Sequence, residues 1–86
     1  MSELMTDADC YTLSDGTKLT LEESAIMRSI ITHARKLETI EADLKDWGVD
    51  GLVGYCITQL VRRGLVRIDA CGDFVHDINS NLPYII

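Results

Sequence analysis

"VGYCITQLVRRGLVRIDACGDFVHDI", residues 53–78, runs a helical repeat, a stop and a strand repeat in direct succession. With Val53 at the centre of a buried side, about 100° of rotation per residue sets Cys56, Ile57, Leu60 and Val61 beside it. Gly51, Tyr55, Thr58, Gln59 and Arg62 fall on the other side, and none of them is a carboxylate. Gly64 stands where a left-handed residue closes a helix, with apolar Leu65 behind it. Val66 and Ile68 then alternate with Arg67 and Asp69, "DACGD" supplies a glycine-containing turn, and Phe74, Val75 and Ile78 suit a returning strand. The spacing predicts a helix over 51–63 and an antiparallel hairpin of 65–69 with about 74–78.

Upstream, Gly48 is the stop of a shorter helix predicted over 40–47, with Thr39 as its cap, Ile40, Leu44 and Trp47 on its apolar side, and Glu41 and Asp43 in the favourable first turn. A longer helix over 21–36 is signalled by "TLEE": the Thr20 hydroxyl can accept from a free N–H of the first turn while Glu23 reaches back to the cap. Ile26, Met27, Ile30, Ala34 and Leu37 recur on its buried face, opposite Arg28, Thr32 and Arg35. Before it, "YTLSDGTKLT" alternates around Asp15-Gly16, a pair suited to the positive φ angles of a tight hairpin turn.

Length and composition fit one small domain. The chain has 86 residues, 47% hydrophobic and 26% charged, enough for a single core. An acidic segment over 1–10, a domain over 11–78 and an apolar tail over 79–86 are expected. "MSELMTDADC" has neither a basic n-region nor an apolar run, and no stretch approaches the roughly 20 apolar residues of a membrane span, so a soluble cytoplasmic protein is expected. Cys10, Cys56 and Cys71 are odd in number and far apart, which suits thiols in a reducing compartment.

Catalytic and metal chemistry find little support. No nucleophile is paired with a base, no glycine-rich loop precedes a helix, and no cofactor is implied, so an enzyme is not expected. Cys71, Asp73, His76 and Asp77 lie near one another on the hairpin but lack metal-ligand spacing. His33 is expected to be a packing residue at the edge of the first helix, Cys56 a small core hydrophobe, and Tyr11 and Trp47 core aromatics.

The order hairpin, helix, helix, turn, helix, hairpin resembles the winged helix-turn-helix superfamily over about residues 20–78, most tellingly where "QLVRRGLV" runs from helix to hairpin. "LSDGTKLTLEE" is also similar to the opening of response-regulator effector domains, although the acidic "IEADLKDWGVD" departs from their basic surroundings. The resemblance implies an α+β fold of three helices, a C-terminal β-hairpin wing and a short N-terminal hairpin. It also implies contact of the third helix with double-stranded DNA in a transcription regulator. Thr58, Gln59 and Arg62 could then bond base edges, Tyr55 could reach a phosphate or stack, Gly51 would permit close approach, and Arg63 and Arg67 would flank the face.

Charge keeps a second reading open. Residues 1–50 hold 11 acids and 5 bases, whereas residues 51–86 hold 3 of each. Three arginines, with Lys45, are few for neutralising phosphates, and a two-fold homodimer would double them. The alternative is an acidic winged-helix interaction module, an inhibitor or decoy in a phage-like accessory role. It would offer Glu41, Asp43 and Asp46 to a basic protein surface. The tail adds Leu82, Tyr84, Ile85 and Ile86, which need cover either from the chain's own sheet or from a second subunit or partner, while Pro83 favours an extended conformation.

Overall fold

The computed structural model describes residues 4–6, 9–13, 16–49, 51–76 and 83–85. Among them stand three helices, α1 (Leu21–Thr32), α2 (Leu37–Asp46) and α3 (Val53–Arg62), and four short strands, β1 (Tyr11–Leu13), β2 (Val66–Ile68), β3 (Phe74–His76) and β4 (Pro83–Ile85). The chain is thus a small α+β protein with two antiparallel two-stranded sheets, β1–β4 and β2–β3.

Helix α1 begins at the capping box expected from the sequence. The Glu23 N–H donates to Thr20 Oγ1 at 3.2 Å and the Thr20 N–H donates to Glu23 Oε1 at 3.0 Å, so two orphan donors are satisfied reciprocally. The helix ends at Thr32, four residues before the predicted end. There the Ser29 carbonyl accepts from the His33 and Ala34 N–H groups, and the Thr32 hydroxyl turns back onto Arg28 and Ser29. Ala34 is fully buried although it lies outside the helix, so the burial period outlasts the helical backbone and extends the apparent repeat. Leu37, assigned from the sequence to the buried face of α1, is instead the exposed first residue of α2.

The start of α2 is a second correction. Its N-cap is Lys36, with no side-chain cap bond, and Thr39 lies inside the helix. Long-range ties set this boundary: the Phe74 N–H of β3 donates to the Arg35 carbonyl, and Lys36 pairs with Asp73 beside that strand. Glu38, rather than Glu41 and Asp43, therefore occupies the first turn.

Both glycine stops stand where the sequence put them. Gly48 and Gly64 have φ of 72° and 78°, and each terminus closes with the paired bonds of a Schellman motif. At α2 the Gly48 N–H donates to the Lys45 carbonyl and the Val49 N–H to Leu44; at α3 the Gly64 N–H donates to Val61 and the Leu65 N–H to Leu60. In both cases the residue after the glycine and its carbonyl partner are buried. Helix α3 itself runs from Val53, so Gly51 and Leu52 precede it and Arg63 is its C-cap.

The hairpin β2–β3 pairs Val66 with His76, Arg67 with Val75 and Ile68 with Phe74, and β2 is one residue shorter at each end than the predicted 65–69. Ile78, placed in the returning strand by the sequence, and Asp77 lie outside the described residues. The leading hairpin is narrow. Thr12 and Lys18 form a single bridge, reinforced by N–H donation from Leu13 to Thr17 and from Leu19 to Tyr11; Asp15 of its expected turn lies outside the described residues. The strand partner of β1 is β4 of the same chain, with Tyr11 opposite Ile85 and Leu13 opposite Pro83. That pairing engages the tail's backbone; Leu82 and Ile86 lie outside the described residues.

The core gathers Ile26, Met27 and Ile30 of α1, Ile40 and Leu44 of α2 and Leu60 of α3, each almost wholly buried. Tyr11 joins this core as expected, whereas Trp47 is only partly buried and lies under the Arg28 guanidinium, 4.8 Å from its ring centroid. Two fully buried serines are satisfied: the Tyr11 N–H donates to Ser24 Oγ at 3.0 Å, and Ser29 Oγ donates to Asp43 Oδ2 at 2.7 Å.

Candidate functional site

Helix α3 has three environments around its circumference, and they separate the residues that the sequence grouped together. Ile57 and Leu60 point into the core, while Val53, Cys56 and Val61 are only partly covered. One flank is shut by α1. There Arg63 donates to Glu23 Oε2 at 3.1 Å, and Gln59 is half-buried rather than outward. The carboxylates of α1's first turn also touch this region elsewhere. A Cβ on Gly51 would stand 2.6 Å from Glu22 Cγ, which gives that glycine a packing role. Burial, aided by Glu22 and Glu23, pushes the Cys56 thiol up from its ordinary value, and Cys56 is partly buried against the core rather than inside it. The outward side of α3 has no carboxylate of its own, yet the fold brings two glutamates of α1 to its flank.

The outward strip keeps Tyr55, Thr58 and Arg62, all exposed; the Thr58 hydroxyl donates to the Gly54 carbonyl at 2.9 Å. Arg62 and Arg67 make no ion pair among the described residues, although Arg67 lies close enough to Asp69 to help lower that carboxyl. The main cause of that lowering is the Asp73 N–H, which donates to Asp69 Oδ1 together with the Cys71 N–H and so folds the hairpin turn. Asp69 and Asp73 are thereby committed to structure, and no group of three potential metal ligands occurs among the described residues.

On its other flank α3 opens onto a groove of about 370 Å³. Its walls are Leu37 from the start of α2, Ile57, Thr58 and Val61 from α3, and Ile68 and Phe74 from the hairpin. Gly54 forms part of the floor, and nothing lies within 4 Å of where its Cβ would stand. No ionisable side chain among the described residues lines the groove. Tyr55, next to Gly54 along α3, is 64% exposed, and Ile68 on the groove's edge is 55% exposed. Sequence reasoning missed this groove because its walls come from three elements; Ile68 was one signal, an apolar residue facing out from the hairpin.

The acidic patch expected on α2 is also rearranged. Asp43 faces α1, where Oδ2 accepts from Ser29 and pairs with His33 Nε2 at 2.7 Å. His33 is accordingly an exposed polar contact of Asp43 and not a packing residue. Glu41 and Asp46 remain exposed, Glu41 beside a second, more polar hollow shared with Lys45, Gly48 and Gly51.

No helix among the described residues is long and apolar enough to cross a membrane. The chain matches no protein-family model, no curated protein and no solved structure.

Proposed function

We propose that this chain is a non-enzymatic interaction domain of winged-helix type, whose α3 face takes an apolar polypeptide segment in the groove between α2, α3 and the hairpin. The observation behind this reading is that groove: apolar walls drawn from three elements, open to solvent, with exposed Ile68 on its edge and exposed Tyr55 next to Gly54 on α3. A contiguous apolar surface of this kind is costly to leave in water and marks a contact site. Gly54 points the same way. A glycine weakens a helix by up to about 1 kcal/mol relative to alanine, and nothing in the packing of the described residues requires one there. The room it leaves serves something outside the fold.

Double-stranded DNA is the second reading, favoured by the carboxylate-free strip of Tyr55, Thr58 and Arg62. Phosphate neutralisation dominates DNA affinity, however. With Arg63 held by Glu23, two arginines are left beside α3, Arg62 and Arg67, on a chain of net charge −6.

Selection of displayed random peptides on the purified protein, alongside a salt series with random duplex DNA, separates the two. The expected result is enrichment of peptides with apolar residues at helical or alternate spacing, lost on Ile68→Asp and kept on Arg62→Ala. Groove-independent selection, together with DNA binding whose log-log salt slope is about −2 and falls by about one on Arg62→Ala, would overturn the proposal in favour of DNA.

A further inference from the structure

We propose that the polypeptide this groove takes is a second copy of the same chain, docked about a two-fold axis so that Tyr55 of each copy enters the groove of the other and Arg62 of each meets Glu38 of the other. The inference rests on the polypeptide-binding reading above and names the partner. Shape is one support. A two-fold interface uses the same patch on both subunits, so the patch must hold both a projection and a hollow. Here both belong to α3: Tyr55 projects, while Ile57 and Val61 line the hollow beside Gly54.

Charge is the other support. The two rims of the groove differ in sign. On the α3 rim stands Arg62, four residues from groove-lining Thr58 and on the same face of the helix. On the far rim, next to Leu37 and Ile68, three carboxylates stand with two cations: Lys36 is paired with Asp73 and Arg67 lies beside Asp69, which leaves exposed Glu38 as the carboxylate in excess. A two-fold axis running along the groove exchanges the rims, so the cationic rim of each copy faces the acidic rim of the other. Residues 51–76 hold Arg62, Arg63 and Arg67 against Asp69 and Asp73, on a chain whose net charge is −6. Two copies meeting here keep most of their repelling charge apart.

Sedimentation of the whole chain between about 5 and 500 µM tests this, with a dimer expected to form across that range. Tyr55→Asp and Ile68→Asp change exposed side chains, so circular dichroism should show them folded, and each should weaken dimerisation by at least about tenfold. Arg62→Glu and Glu38→Arg should each weaken it comparably, and an equimolar mixture of the two should restore it, because both cross-rim pairs are then again of opposite sign. A wild-type chain that stays monomeric at about 500 µM, or a dimer indifferent to these substitutions, overturns the proposal. A monomer that still selects peptides in an Ile68-dependent manner removes only the second copy as partner; a monomer that selects none removes the polypeptide-binding reading as well.

Discussion

Helices α1 and α3 have the same number of apolar residues and use them differently. Helix α1 buries six of its twelve residues, including the serines at 24 and 29, whereas α3 buries only Ile57 and Leu60 of its ten. The remaining apolar side chains of α3, Val53, Tyr55, Cys56 and Val61, are partly or largely uncovered. The contrast teaches that the two helices answer to different demands. The core is built around α1, with α2, α3 and the hairpin all packed against it, while α3 is anchored at two points and holds out the rest of its apolar surface. An amphipathic pattern in the sequence is the same in either case, because it reports which residues avoid water and not what covers them.

The sharpest way to break this comparison is to delete one anchor on each helix. Ile26→Ala in α1 and Leu60→Ala in α3 each remove a fully buried side chain, and each should cost roughly 2–5 kcal/mol in denaturant unfolding through lost transfer energy and a residual cavity. Val61→Ala, one residue from Leu60 but on the groove, should cost clearly less. If Val61→Ala costs as much as Leu60→Ala, the groove is closed by the fold itself and the difference between the helices disappears.

What the sequence disclosed, and what it hid, follows the range of the interactions concerned. Thr20 with Glu23 and the stops at Gly48 and Gly64 were legible because each is a contact between residues at most five apart along the chain. The start of α2 was not, since it depends on Asp73 and Phe74, 37 residues beyond Lys36 in the case of Asp73. Asp43 was misplaced for a similar reason: a carboxylate in a helix reads as solvated until α1 sets Ser29 and His33 opposite it. The β1–β4 pairing and the groove join distant segments, and neither leaves a local periodicity to find. In the candidate site, the strip of Tyr55, Thr58 and Arg62 was readable from α3 alone, whereas the loss of Arg63 and Gln59 to the α1 flank was not.

Gly54 sharpens the comparison at smaller amplitude. Gly54→Ala places a methyl group in open space within α3, so it should stabilise the monomer by about 0.5–1 kcal/mol, seen as a rise in the denaturation midpoint at unchanged slope. The same methyl reduces the hollow, so peptide selection or self-association should weaken while stability rises. Opposite changes in the two readouts would mark Gly54 as a functional choice. A substitution that stabilises the fold and leaves binding untouched would detach the groove from function.

The smallest expected effect lies at the seam between the two helices. Glu23 has two roles: Oε1 accepts from the Thr20 N–H in the capping box, and Oε2 accepts from Arg63 at 3.1 Å. Glu23→Gln retains an oxygen for the cap and removes the charge, so it isolates the ion pair. Arg63 is 36% exposed, and solvent screening limits such a pair to roughly 0.2–1 kcal/mol. A double-mutant cycle of Glu23→Gln with Arg63→Ala should return a coupling in that range, falling as salt is raised. The cycle also bears on function. Glu23→Gln frees a third cation on the flank of α3, so if the face met DNA, affinity should rise and the salt slope should steepen by about one contact. On the polypeptide reading, the groove lies on the opposite flank, and neither groove-dependent peptide selection nor the sedimentation behaviour should change. A steeper salt slope with duplex DNA, gained on Glu23→Gln and lost again with Arg63→Ala, would mean that the shut flank of α3 is a held-back nucleic-acid surface and that the helix's two flanks had been assigned the wrong way round.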